Sequence, residues 1–566
     1  MAAIMRDEPP ELSESGRNIS PALDHIVRHC LEKDRDHRFQ SARDIVFALS
    51  EASLPAVTSG VGVGVLARPG ISKRSPVFLV ATCALVLLGV VATILLQRRP
   101  PATAKTPPAA IGPSIAVLPF TNLSSDKDQE YFSDGLSEEL MGLLTKVKEL
   151  HVAGRMASFA FKGKTEELAS IGQKLHVATV LEGSVRRSGD QLRVSTQLVN
   201  VADGYQIWAE TYGRRVTDVF AVQDEIAGAV VTALKVKLLP QERLASSHRT
   251  TNMEAYNRYL MGRQFFARHD LEGYSQAAIA YEGALALDPN YAAAHAALAV
   301  TLMGVVDFAK SRAEQADAQR KALAAAEKAV ELDPTLPEGY SARANIRSYI
   351  GRDWAGAEED FQRALSLDPS DPMTHAGYGR LLARLGQLPE AIAECRKATE
   401  LDPLFVRGWV WLGSYLNSIG QLPEARKALT RVLEISPKSE YGRYYLAVTE
   451  ILAGNSTVAL GVVGTPTTSL RRTIVALAEH DLGHAKEAQQ ALDDLIAQHR
   501  LTAPYRVAVV YAWRGEKDRA FEWLDRAYEQ SDTGLPTLVF DPLVAKLRDD
   551  PRFAAMLKKL NLPVGK

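Results

Sequence analysis

Eight alanines, Ala277, Ala322, Ala357, Ala391, Ala425, Ala459, Ala488 and Ala520, divide the second half of this 566-residue chain. Their intervals are 45, 35, 34, 34, 34, 29 and 32 residues. A fixed period of 34 residues is the signature of stacked helical hairpins, because one hairpin cannot bury its apolar face without its neighbours. Alanine recurs for a steric reason. Where the second helix of a hairpin crosses the first, a small side chain lets the backbones come close. A second small residue follows seven positions later at Ala284, Ala329, Ala364, Ala398 and Ala527, with larger apolar plugs such as Tyr281, Phe361, Leu429 and Leu524 beside them. Five hairpins end in nearly one phrase, at Pro289, Pro334, Pro369, Pro403 and Pro437, where proline stops the helix and turns the chain.

This pattern resembles the tetratricopeptide repeat family over residues 253–530. The resemblance implies a right-handed stack of about sixteen helices, interrupted near 456–470, where Gly461, Gly464 and Pro466 oppose a continuous helix. Residues 531–566 are expected to cap the apolar end of the stack with short helices.

The totals exclude several functions. Net charge is -1, from 66 basic and 67 acidic residues, so no bulk basic field favours nucleic acid. The three cysteines, Cys30, Cys83 and Cys395, lie far apart and show no metal-ligand or redox spacing. Cys395 stands where a repeat carries a bulky plug, so a buried apolar role is expected.

Residues 77–96 carry no charge over twenty positions and would make a helix about 30 Å long, the thickness of a bilayer's hydrocarbon core. The sequence therefore predicts one transmembrane helix, between linkers at 55–76 and 97–113. Before it, residues 19–52 spell two helices, the first capped by Ser20 with Pro21 at its first position. With "CLEKDRDHRFQSARDI" they resemble the end of bacterial serine/threonine protein kinases, so residues 1–54 are expected to be a kinase-lobe remnant. Arg35 replaces the usual proline of that pattern. The glycine-rich loop, strand lysine, catalytic aspartate and metal-binding aspartate of a kinase do not precede it, so no phosphate transfer is expected from the chain as given. The resemblance implies a bacterial inner-membrane protein with residues 1–72 cytoplasmic and 100–566 extracytoplasmic.

Between the linker and the repeats, residues 114–240 read as a small α/β domain. "SIAVLPF" is a buried strand, 133–147 an amphipathic helix, "ELHVAGR" a strand, "TEELASIGQKL" a helix. Three alternating strands then meander around Ser188-Gly189-Asp190 and Ala202-Asp203-Gly204, and "VFAVQDEIAGAVVTALKVKL" closes with a helix. The segment resembles the TolB amino-terminal-like, or FlgO-like, domain, which is fused to such repeats in bacterial sensors with cyclase, winged-helix or kinase outputs. Arg186 with Arg187, and Glu182 with Glu210, read as solvated or cross-sheet charges more readily than as a site.

The expected fold class is thus multidomain: a helical kinase remnant, one transmembrane helix, a small α/β domain and an all-α repeat superhelix. Such a stack lines its inner face with the first helices of its hairpins. There the chain offers Tyr340, Arg343, Tyr378, Arg380, Trp411, Tyr415, Arg443 and Tyr444, the residue types that dominate binding hot spots. The expected ligand is a protein or peptide. No cofactor, metal or catalytic set is expected, no "GxSxG" or "HExxH" occurs, and about half of these aromatics, Trp409 first, should instead pack between hairpins. The alternative is a fragment of an active transmembrane kinase whose catalytic core lies upstream of Met1.

Overall fold

The computed structural model describes residues 112–126, 129–147, 149–236, 250–268, 270–306, 312–351, 353–465 and 467–563. The chain divides into two compact units, Met1–Ala104 and Lys105–Lys566, and all described residues lie in the second. The kinase-like segment and the apolar run at 77–96 lie outside them.

One element of the expected fold class is corrected. Among the described residues no helix is long and apolar enough to cross a membrane. The longest, Arg312–Leu332, is charged throughout, and the apolar Ala292–Val306 has 15 residues, too short for a bilayer core about 30 Å thick. The single transmembrane helix, and with it the single-pass inner-membrane placement with its cytoplasmic and extracytoplasmic parts, is therefore withdrawn.

The amino-terminal part of this unit is one mixed sheet with helices. Its elements are β1 (Ser114–Val117), β2 (Thr121–Asn122), α1 (Glu130–Thr145), β3 (His151–Val152), α2 (Arg155–Phe159), α3 (Leu168–Leu175), β4 (Thr179–Ser188), β5 (Gln191–Asn200), β6 (Gln206–Arg215) and α4 (Val219–Ala233). Strand order is β3-β1-β4-β5-β6, with β1 parallel to both neighbours and β2 parallel to β4. β4, β5 and β6 form the antiparallel meander that the alternation predicts. Its turns need left-handed backbone, which Gly189 and Gly204 supply at φ 61° and 71°. The even positions of β5, Leu192, Val194 and Leu198, are buried under α1 and α4.

Sixteen α-helices follow: α5 (Met253–Phe266), α6 (Leu271–Leu287), α7 (Ala292–Val306), α8 (Arg312–Leu332), α9 (Pro337–Ile346), α10 (Trp354–Leu367), α11 (Pro372–Arg384), α12 (Leu388–Leu401), α13 (Val406–Ser418), α14 (Leu422–Ile435), α15 (Glu440–Leu452), α16 (Ser456–Val463), α17 (Ser469–Asp481), α18 (Ala485–His499), α19 (Pro504–Arg514) and α20 (Lys517–Glu529). Consecutive pairs pack as hairpins. All eight periodic alanines are at most 1% exposed, as close helix crossing requires. Cys395 is fully buried, and burial pushes its thiol pKa up. The weak point lies where glycine and proline placed it: α16 is only eight residues long and ends at Gly464, φ 60°. Two 3-10 turns, Leu535–Val539 and Pro542–Leu547, and α21 (Pro551–Lys559) come last among the described residues.

The sheet part and the repeats share one core. Leu260 of α5 lies against Gly135 of α1, where an added Cβ would fall 2.5 Å from it. Phe220 meets Tyr256 edge-on at 4.8 Å, and the Gln223 amide donates to the Tyr256 hydroxyl at 3.1 Å. Glu138, 7% exposed, accepts from Arg155 at 2.5 Å and pairs with Arg263 of α5. A carboxylate so placed would cost several kcal/mol without such partners. Further along the stack Asp402, in one of the proline turns, presses its carboxylate against Gly154 at the start of α2.

Candidate partner-binding face

The first helices of the hairpins do present a continuous face, but the chain itself covers much of it. The segment from Leu535 to Leu547 lies on it. Its first 3-10 turn contacts α11, and Val539 approaches Gly386 just beyond that helix. Phe540 meets Tyr415 of α13 edge-on, centroids 5.3 Å apart at 89°. The Tyr505 hydroxyl of α19 donates to Asp541 at 3.0 Å, and the second turn packs on α19. Proline at 542 and the Asp541 side chain, which accepts the Leu543 N–H at 2.9 Å, fix the bend between the two turns. Burial pushes the Asp541 pKa up, against the pull of Arg506.

The eight residues expected to bind a partner fall into two groups. Arg343 forks onto Asp360 of α10 at 2.9 and 2.6 Å, and Arg347 adds a contact at 2.9 Å. Tyr340 lies under Arg343 and Arg363. Tyr378 accepts from Gln362 at 3.2 Å and donates to Glu358 at 3.3 Å, both on α10. Arg443 donates to the carbonyls of Val462 and Pro437 at 3.0 and 2.9 Å. These four hold one helix to the next. Trp409 ties its helix to the turn that precedes it, its indole N–H donating to the Pro403 carbonyl at 3.0 Å.

The other four form or border the inner face. Trp411 stacks on Tyr415 at 6.3 Å and 12°. Tyr415 is fully buried under Phe540, yet its hydroxyl has no hydrogen-bond partner among the described residues. Tyr444 accepts from Arg506 at 2.6 Å and lies under the same guanidinium at 4.6 Å. Burial alone would lower the Arg506 pKa, but the Tyr444 and Tyr445 rings and Asp541 outweigh it and raise it. Arg380 donates to Asn345 at 2.8 Å. The sequence reading missed Tyr505, Arg506, Phe540, Asp541 and Arg384, which complete this face. The "FDP" at 540–542 repeats the aspartate-proline signal of the hairpin turns and was open to notice.

The charge pairs suspected on the sheet are local. Glu182 accepts from Gln197 at 2.5 Å, and Glu210 from the Tyr212 hydroxyl at 3.0 Å. Arg187 lies 5.8 Å from the Phe132 ring. Among the described residues no group of three His, Cys, Asp or Glu could hold a metal ion.

Residues 341–404 match the tetratricopeptide repeat family model. A curated protein named putative adenylate cyclase 3, from Rhizobium meliloti (strain 1021), is 38% identical over 259 residues. That covers 45% of this chain, and the chain spans 44% of that relative's length. Among solved structures, YrrB, described as having an unusual peptide-binding site, is 22% identical at TM-score 0.26, covering 38% of this chain and 99% of its own. PilW, described as a type IV pilus biogenesis factor, is 25% identical at TM-score 0.32, covering 37% and 93%.

Proposed function

We propose that this chain is the partner-binding, sensory part of a signalling protein, and that a peptide segment of a protein partner occupies the face lined by α11, α13, α15 and α19. One observation carries the reading: that face already holds a segment of polypeptide, the two 3-10 turns of residues 535–547, by an aromatic side chain on Tyr415 and a carboxylate at Tyr505. The orphan hydroxyl of Tyr415 supports it. An unpaired buried hydroxyl costs about 1–3 kcal/mol, which a partner offering an acceptor there would recover. The partner thus carries an aromatic side chain followed by an acid and competes with the chain's own segment. The signalling role draws on the 38% identity to a protein named as a cyclase. The rival reading, a kinase fragment, rests on residues 19–52, outside the described residues, and reading frame upstream of Met1 decides it.

The test is a peptide-display selection against the full chain and against Phe540→Ala. Selected peptides should share an aromatic-acidic pair, be displaced by a synthetic 531–547 peptide, and bind the variant more tightly. Peptides that bind both forms equally and ignore the competitor would refute the assignment.

A further inference from the structure

A cavity of about 320 Å³ opens between the repeats and the carboxy-terminal segment. Gln319 of α8, Ser348, Trp354 and Arg384 line one side, and Asp532 and Thr533 the other. Ser348 lies in a π-helical stretch, Arg347–Gly351, that follows α9; such irregular turns gather at functional sites.

The electrostatics of this cavity are unbalanced. Arg384 is 5% exposed; it donates to the Ser348 carbonyl at 3.2 Å and lies 5.9 Å from the Tyr349 ring. One helical turn earlier, Arg380 binds the neutral Asn345 amide. Among the described residues, neither guanidinium has a carboxylate within ion-pair distance. Asp532 lines the cavity too, but its oxygens accept from the Tyr505 and Gly534 N–H groups at 2.9 and 2.7 Å. Burial and the neighbouring Arg380 push the Arg384 pKa down to about 10. Trp354, 6% exposed, carries an indole N–H with no acceptor among the described residues. Elsewhere in the stack arginines do meet acids: Arg343 has Asp360 and Arg426 has Glu450.

A buried cation without a counterion is costly, and folded proteins pair it or bind an anion to it. From this geometry we infer that the cavity binds a small oxyanion-bearing molecule, a carboxylate or a phosphate, with the Arg384 guanidinium as its counterion and the Trp354 indole as a second donor. The guanidinium fork matches either oxyanion in two parallel hydrogen bonds. The volume suits a small ligand rather than a threaded peptide, because residues 531–536 wall one side. A bound anion would also tie that wall to α11, so its occupancy would set how firmly the segment lies on the inner face.

Calorimetric titration of the full chain, in buffer free of carboxylate and phosphate and at constant ionic strength, tests this. Inorganic phosphate and succinate are the probes. A saturable one-site heat with phosphate alone identifies a phosphate ligand, with succinate alone a carboxylate, and with both a general oxyanion site. Arg384→Gln should weaken binding by about tenfold or more, and Trp354→Phe, which keeps an aromatic ring but removes the N–H donor, should weaken it less. Arg320→Gln, at a side chain 76% exposed, should bind as wild type. If Arg384→Gln fails to fold, the wild-type isotherm and Trp354→Phe decide. No saturable heat with either probe up to ~10 mM, or binding untouched by both variants, overturns the site.

Discussion

Phe540→Ala separates the inner-face segment from the core that it covers. The ring is 4% exposed and meets Tyr415 edge-on with centroids 5.3 Å apart. Truncating a core phenylalanine to alanine costs about 3–5 kcal/mol, of which an aromatic pair accounts for about 0.5–1.5 kcal/mol. The lower end applies here. Asp541 still holds Tyr505, and Leu543, Val544 and Leu547 remain buried, so the flanking chain can settle into the vacated space. A loss of ~3 kcal/mol confined to the segment raises the fraction of molecules with it lifted by ~100-fold. Amide hydrogen exchange on the full chain reads this directly. Amides 535–541 should exchange ~100 times faster, while those of α10 change by less than ~3-fold. Phe540→Leu should recover part of the protection. Equal acceleration across all repeats would show that Phe540 is a member of the global core and not of a separable segment, and unchanged exchange would remove it from the argument.

Ala425→Phe puts a ring where the side chain is fully buried at a helix crossing; overpacking should cost about 1–3 kcal/mol, lowering the melting midpoint of the full chain, and an unchanged midpoint would place this alanine elsewhere. Glu138→Gln removes the carboxylate shared by Arg155 and Arg263. Its destabilisation and that of Arg263→Met should be strongly non-additive in chemical denaturation, and additive effects would deny that Glu138 couples sheet to repeats. Burial raises the Asp402 pKa from 3.8 to about 6, against the pull of the Leu404 N–H, which donates at 3.0 Å, and of the α2 amides. A carboxyl with a raised folded pKa favours folding when protonated, so its contribution is complete below about pH 4 and is lost as pH rises through about 6. Roughly 3 kcal/mol is at stake. Asp402→Asn should flatten that part of the stability profile, and an unaltered profile would refute the assignment.

The repeats were legible because their constraint is local and periodic. An alanine at each crossing is required by backbone contact alone, and the same 34-residue step recurs in Gly386, Gly420 and Gly454, each at φ of 74° to 78°, where first helices end in left-handed caps. The meander was legible for the same reason: alternation and two glycine turns are short-range signals. The binding residues were not. A first-helix arginine that reaches inward and one that reaches back to its own hairpin look alike in sequence. Only the spacing to its acid tells them apart, as with Arg343 and Asp360, 17 residues on. Arg384 has no such acid, and that lack became visible only once α8, Trp354 and residues 531–533 were brought around it. The covered face was the least accessible of all. Phe540 contacts Tyr415 from several hairpins earlier, and its apolar character fits a cap on the stack's end as well as a plug on its inner face. What distinguishes the two is the superhelical path of the stack, which curves the inner face round to meet the end of the chain. No window of sequence carries that curvature, because it accumulates from small rotations at every hairpin contact.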